Sequence, residues 1–242
     1  MPEYIERTYR SRIRPKGLTC FQVTVSETDL WVCARRDLEN ETRDLIWESR
    51  HQIETYIHAH PDFKTSLLPL MEDPYAPQIV REMIHEAAKV RVGPMAAVAG
   101  AIAQYVAEGL LKLSPEVIVE NGGDIFLKAE RPLTVSIFAG TSSLTGKLGL
   151  RLPTHQMPLG VCSSSGTVGH SLSRGRADAV CLLSASAALA DSAATALGNR
   201  IHGKRDLERA ADWASQIRGL YGGLVILGDA LATWGDIELV GL

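Results

Sequence analysis

Apolar positions near the start of the chain recur with a period of two and then shift to a helical period. Residues 19–25 and 30–34 read as two strands joined by Ser26-Glu27-Thr28-Asp29. Residues 38–58 follow as a helix, with Leu45, Ile46, Ile53, Tyr56 and Ile57 on one face, Asp37 as N-cap and Pro61 past its end. The stretch 62–78 carries Pro69, Pro74 and Pro77 and reads as a surface connection before a shorter helix, 79–89. Gly93-Pro94 then opens an alanine-rich helix over 95–113, whose small residues allow close backbone packing. A strand-rich centre covers 117–120, 125–129, 134–139, 147–152 and 159–162. Strand 178–184 leads into a helix over 187–201 capped by Ser184 or Ser186. A polar helix, 206–218, precedes a strand at 220–227 and a last one at 237–242. Strands come in antiparallel-looking pairs with helices between the pairs, which predicts an α+β fold rather than βαβ alternation. The order of strands, helices and more strands occurs twice.

Composition narrows the function classes. The 242 residues suffice for one large domain or two small ones packed together, with a real core. A formal charge of -3 gives no general pull toward nucleic acid or anionic membrane. Arg10, Arg12 and Arg14 cluster, but with the spacing of one exposed strand face. The most apolar stretch, 92–113, is interrupted by Gly93, Pro94, Gln104 and Glu108 and reads as a buried helix, not a membrane span. The four cysteines form no CxxC pair and sit in apolar runs, so buried, reduced thiols are expected. The first residues lack a secretory pattern, and a cytoplasmic location is expected.

Three segments carry candidate chemistry. Glu120-Asn121-Gly122-Gly123-Asp124 joins two short strands through residues that tolerate positive φ and let backbone approach a ligand; the same pattern serves an ordinary hairpin turn. Asp191 and Thr195 stand four residues apart, one above the other on a helix of alanines. Their oxygens suit a hard cation such as Mg²⁺, completed by water and phosphate. The stretch Ser163-Ser164-Ser165-Gly166 ends a strand with hydroxyls and amides of the kind that cradle an oxyanion or phosphate. It matches neither a Walker loop nor a Gly-x-Ser-x-Gly elbow. His170 follows in a Gly/Ser setting and is a candidate general base. The start of the alanine-rich helix at Gly93 offers free amides and a dipole that favours an anion.

In this order the segments resemble ApbE, the FAD:protein FMN transferases, and their compact relatives. Glu120-Asn121-Gly122-Gly123-Asp124-Ile125 is similar to the family's Asn-x-Gly-Gly-Asp-Ile motif. Ser165-Gly166 matches its Ser-Gly pair, and Ala190-Asp191-Ser192-Ala193-Ala194-Thr195-Ala196 its late Ala-Asp-Ala-x-x-Thr-Ala helix. The resemblance implies two T-fold-like halves with antiparallel sheets, FAD and Mg²⁺ in a cleft between them, and Asp191 and Thr195 as metal ligands. It places Asn121, Gly122, Gly123, Asp124, Ser164, Ser165, Gly166 and Gly93 around the nucleotide. His170 becomes the base that takes the proton of an acceptor protein's threonine.

The chain departs from the transferases in two places. Val98-Ala99-Gly100-Ala101-Ile102-Ala103 stands where they carry a Lys-Gly pair and an aspartate. His170-Ser171-Leu172-Ser173-Arg174-Gly175 lacks the aspartate and proline of their histidine segment. In this it resembles the compact ApbE-related proteins of anaerobic bacteria and archaea, which are associated with sulfide assimilation toward homocysteine. Two alternatives stay open: a non-flavin enzyme of sulfur metabolism, with Cys162 as a working thiol, and a nucleotide-binding module without catalysis. The expected partners are a small-molecule nucleotide, an acceptor or pathway protein, and further copies of the chain.

Overall fold

The computed structural model describes residues 15–166 and 175–242, so the expectations for Arg10, Arg12, Arg14 and His170 lie outside the described residues. The chain opens with a hairpin, β1 (Thr19–Val25) and β2 (Thr28–Ala34), closed by the two-residue turn Ser26-Glu27. Four helices follow: α1 (Glu39–Ala59), α2 (Asp62–Thr65), α3 (Gln78–Lys89) and α4 (Val98–Leu110). A second hairpin, β3 (Val117–Asn121) and β4 (Asp124–Lys128), completes the first unit. After β5 (Leu133–Ser136) and β6 (Leu148–Leu152) the plan repeats. The hairpin β7 (Leu159–Ser164) and β8 (Ala179–Ser184) leads to α5 (Ala187–Gly198) and α6 (Lys204–Ser215). The hairpin β9 (Leu220–Leu227) and β10 (Ala230–Gly235) and a last strand, β11 (Glu238–Gly241), end the chain.

The two units share one antiparallel eight-stranded sheet in the order β1-β2-β3-β4-β7-β8-β9-β10. The join is β4 against β7, with Ile125 opposite Val161. Successive side chains of a strand point to opposite faces, so each strand feeds two cores. Val32, Val119, Phe126 and Cys162 pack beneath α1, α3 and α4, while Val180, Leu182 and Val225 pack beneath α5 and α6. Their neighbours Cys33, Ile118, Val161, Cys181 and Leu224 face the small sheet β11-β6-β5 across a third core. The fold is therefore α+β with antiparallel sheets, as expected.

Several local expectations change. The alanine-rich helix starts later, because Pro94–Ala97 forms a single 3₁₀ turn before α4. The strand expected over 134–139 stops at Ser136, and β10 was not anticipated at all. Its signal was Gly228-Asp229, a two-residue turn with Gly228 at φ 63°, a backbone that suits glycine. The expectation of four reduced thiols is corrected: Cys20 and Cys33 form a disulfide, and only Cys162 and Cys181 are free. The pair sits directly opposite in the β1–β2 register with Cα atoms 4.1 Å apart, within bonding reach. Among the described residues no single helix is long and apolar enough to cross a membrane.

Candidate functional site

The site is built where the two units meet, on the helix-bearing face of β4 and β7. Asn121-Gly122-Gly123-Asp124 forms the β3–β4 turn, with Gly122 at φ 69° and Gly123 at φ 107°. The Gly123 N–H donates to Glu120 Oε1 at 2.8 Å, which fixes the turn. A Cβ at Gly123 would meet nothing within 4 Å, so the glycine serves the backbone conformation and leaves open space above the turn. Asn121 Nδ2 donates to the Ala99 carbonyl at 3.1 Å, tying the turn to the start of α4.

Asp124 is buried, and its Oδ1 accepts the Ser163 N–H at 3.2 Å across the β4–β7 join. Asp191, also buried, reaches the same region from α5, where its Oδ2 accepts the Gly100 N–H at 2.9 Å. The Ala99 N–H supports it too. The amides at the start of α4 are thus spent on the chain's own carboxylate, a favourable place for an anion at a helix N-terminus. Close approach of α5 makes this contact. A Cβ at Gly100 would stand 2.4 Å from the Ala187 carbonyl and 2.9 Å from Asp191 Cβ.

Two carboxyl groups in one buried region disfavour each other's charge. Burial pushes Asp191 up to about 7, against the pull of the Gly100 and Ala99 amides. Burial, then the Asp191 charge, push Asp124 well above the ordinary range, with Glu120 adding to the effect. The Ser163 N–H and the Cys162 thiol act the other way. No described Lys or Arg is ion-paired with either aspartate. Cys162 is fully buried, and its Sγ donates to the Ala187 carbonyl at 3.3 Å. Burial and the two aspartates push this thiol well up, so it is held protonated.

The remaining expected residues fall into two groups. Ser164 closes β7 on the helix-bearing face; it is buried, and its Oγ has no hydrogen-bond partner among the described residues. Thr195 lies one turn beyond Asp191 on α5 and is half-buried. Ser165 and Gly166 follow β7, where the Gly166 N–H donates to the Ala177 carbonyl at 2.9 Å. Gly93 is engaged elsewhere: a Cβ there would stand 1.8 Å from the Ser66 carbonyl, so the glycine admits the loop after α2. Among the described residues no group of three or more His, Cys, Asp or Glu could hold a metal. Sequence reasoning did not single out Ala99, Gly100 or Glu120 as partners of the site. The glycine at position 100, among the larger residues that α4 otherwise buries, was the available signal.

A family model described as "AbpE bacteria" matches residues 10–218. The chain belongs to this ApbE-like family. A UPF0280 protein of Methanocella arvoryzae is 41% identical over 217 residues, covering 89% of this chain and 88% of the relative. A UPF0280 protein of Methanosarcina acetivorans is 38% identical over 243 residues, covering 99% and 95%. Among solved structures, the apo flavinyl transferase ApbE of Pseudomonas stutzeri superposes with a TM-score of 0.59 at 14% identity, covering 90% of this chain and 93% of that one. The flavin transferase ApbE of Vibrio cholerae gives 0.56 at 12% identity, covering 92% and 98%. These two share the fold with the ApbE-like chain described above.

Proposed function

We propose that this ApbE-like protein binds FAD together with Mg²⁺ at the junction of α4, α5 and the β3–β4 turn, and transfers FMN to a hydroxyl of an acceptor protein. One observation carries the reading: Asp124 and Asp191, distant in sequence, share a buried region with no described cationic side chain paired to them. Asp124 and Asp191 would hold a divalent cation as carboxylates, and its charge would offset the mutual repulsion that burial imposes on them. The donor set fits it, since Asp191, Asp124, Thr195 and the Ser164 hydroxyl, which has no hydrogen-bond partner among the described residues, are all oxygen ligands of the kind Mg²⁺ takes. Asp191 keeps lone pairs beyond those its two amides use. When bound, the ion would neutralise charge on a diphosphate and polarise its phosphoryl groups.

The protein's own groups have separate tasks. Gly122 and Gly123 bring backbone close to the nucleotide, and Asn121 holds that turn against α4. His170 is assigned the acceptor's proton; the acceptor oxygen bonds to phosphorus as the bond to the AMP oxygen breaks. The buried thiol of Cys162 does not support a persulfide or nucleophilic role.

Titration calorimetry with FAD, with and without Mg²⁺, tests binding, and AMP release with a threonine-bearing acceptor tests transfer. Mg²⁺ should tighten FAD binding by about 100-fold, in line with the charge neutralisation that a metal provides. Equal affinity with and without the ion would contradict the site. Binding without AMP release would leave a nucleotide-binding module.

A further inference from the structure

Gln104 lies on α4 one turn beyond Gly100, buried although polar. Its Oε1 accepts the Ala187 N–H at 2.8 Å, satisfying a first-turn amide of α5. Its Nε2 donates to Glu82 Oε1 on α3 and to Glu108 Oε1 on α4, each at 3.0 Å. Ala187 in turn lies one turn before Asp191. Two rungs therefore join the helices: Gly100 N–H to the Asp191 carboxylate, and Ala187 N–H to the Gln104 amide. Between the rungs, Ala187 is wedged from both sides. A Cβ at Gly100 would stand 2.4 Å from its carbonyl, and one at Gly160 on β7 would stand 2.6 Å from its Cα.

We infer that Gln104 is a positioning residue that clamps the first turn of α5 against α4 and so sets where the Asp191 carboxylate stands over the β3–β4 turn. The inference rests on the reading of Asp191 as a ligand group but concerns a residue outside the candidate site. The amide is suited to this because it presents an acceptor to α5 and two donors to carboxylates at once, which a hydrocarbon of the same size does not. Around Glu82, the carboxylate that Gln104 holds on α3, stand Glu86 of the same helix, Glu108 of α4 and the Ser186 hydroxyl that caps α5, with Lys89 paired to Glu86 at 2.7 Å. Burial and the charges of Glu108 and Glu86 push Glu82 up to about 6, so the donors of Gln104 hold together carboxylates that otherwise repel.

Amide hydrogen exchange of the ligand-free protein, read by NMR, tests the clamp without any flavin. In Gln104→Met the Ala187 and Gly100 amides should both exchange about 10-fold faster, while Val180 and Val225 in the sheet stay as in the wild type. Faster exchange at Ala187 with Gly100 unchanged would overturn the clamp and leave Gln104 a local cap of α5. Should Gln104→Met not fold, Gln104→Glu at pH 5 decides. It keeps an acceptor for Ala187, and its carboxyl proton can bridge to Glu82 or Glu108, so both amides should be protected as in the wild type. Loss of protection at Gly100 with Ala187 still protected would refute the coupling. Mg²⁺-dependent FAD affinity should fall about 10-fold in Gln104→Met. If the wild type binds no FAD, the proposed function fails while the exchange result still decides the clamp.

Discussion

Asp191→Asn is expected to make the ligand-free protein more stable at pH 8 while removing Mg²⁺-dependent FAD binding. The Asp191 carboxyl is pushed up to about 7 in the fold, far above the value it has in an unfolded chain, because burial outweighs the two α4 amides. Between roughly pH 4 and 7 the native state therefore holds a proton that the unfolded state has released. Stability contributed by the group is complete below the unfolded value and is lost as pH rises through the folded one. At pH 8 the wild type carries the full penalty of a buried anion beside Asp124, on the order of a few kcal/mol. Asparagine carries no charge and can still accept the Gly100 N–H, so thermal melts should show the variant ahead at pH 8 and level with the wild type near pH 4. Outer partners of metal ligands typically cost 10–100-fold in affinity, so loss of the ligand itself should weaken FAD–Mg²⁺ binding by at least about 100-fold. A variant less stable at every pH, with FAD affinity intact, would make Asp191 a simple helix cap.

Gly100→Ala should disrupt the candidate site from outside the proposed ligand set. The new methyl would stand 2.4 Å from the Ala187 carbonyl and 2.9 Å from Asp191 Cβ, distances that real Cβ atoms do not tolerate. Neither neighbour is the free end of a flexible side chain, so α5 must move. Overpacking of this kind costs about 1–3 kcal/mol, which in a protein of this size lowers the melting temperature by about 3–10 °C. Displacement of α5 also carries Asp191 away from Asp124 and the turn, so FAD–Mg²⁺ affinity should fall with stability. Gly241→Ala is the matched control, because a Cβ there meets nothing within 4 Å. Equal melting temperatures for the two variants would show that α4 and α5 are not in the close contact described.

The regular elements were legible because burial imposes a period on them. β1, β7, β8 and α5 lie where alternation or helical spacing predicts, and Asn121-Gly122-Gly123-Asp124 is the turn its residues require. β10 escaped because Ala230, Ala232 and Thr233 are small or polar on an edge strand, so the alternation is weak. The Cys20–Cys33 bond escaped for a different reason. A cysteine pair placed symmetrically about Ser26-Glu27 is visible only once the hairpin turn is fixed to those two residues, whereas the sequence gives a turn of four.

The segments of the candidate site were legible one by one, but their meeting was not. Asp191 and Asp124 were singled out as separate motifs, and what joins them is the pairing of β4 with β7 and the laying of α5 across both strands. Neither contact has a local signal. The amides at the head of the alanine-rich helix were expected at Gly93, because Pro94 suits a first helical turn. That turn is 3₁₀, the α-helix begins afresh at Val98, and the amides offered to a carboxylate are those of Ala99 and Gly100. Gln104 was read only as a polar interruption, since its three partners come from three different helices.

Anomalous diffraction from crystals grown with FAD and Mn²⁺, a spectroscopically distinct substitute for Mg²⁺, locates the ion directly. The expected result is a single strong peak bonded to the Asp191 carboxylate and the Thr195 hydroxyl, beside Asp124, with the FAD diphosphate completing its oxygen shell. FAD bound elsewhere, or density at the turn with no ion and Asp191 still held only by Gly100 and Ala99, would contradict it.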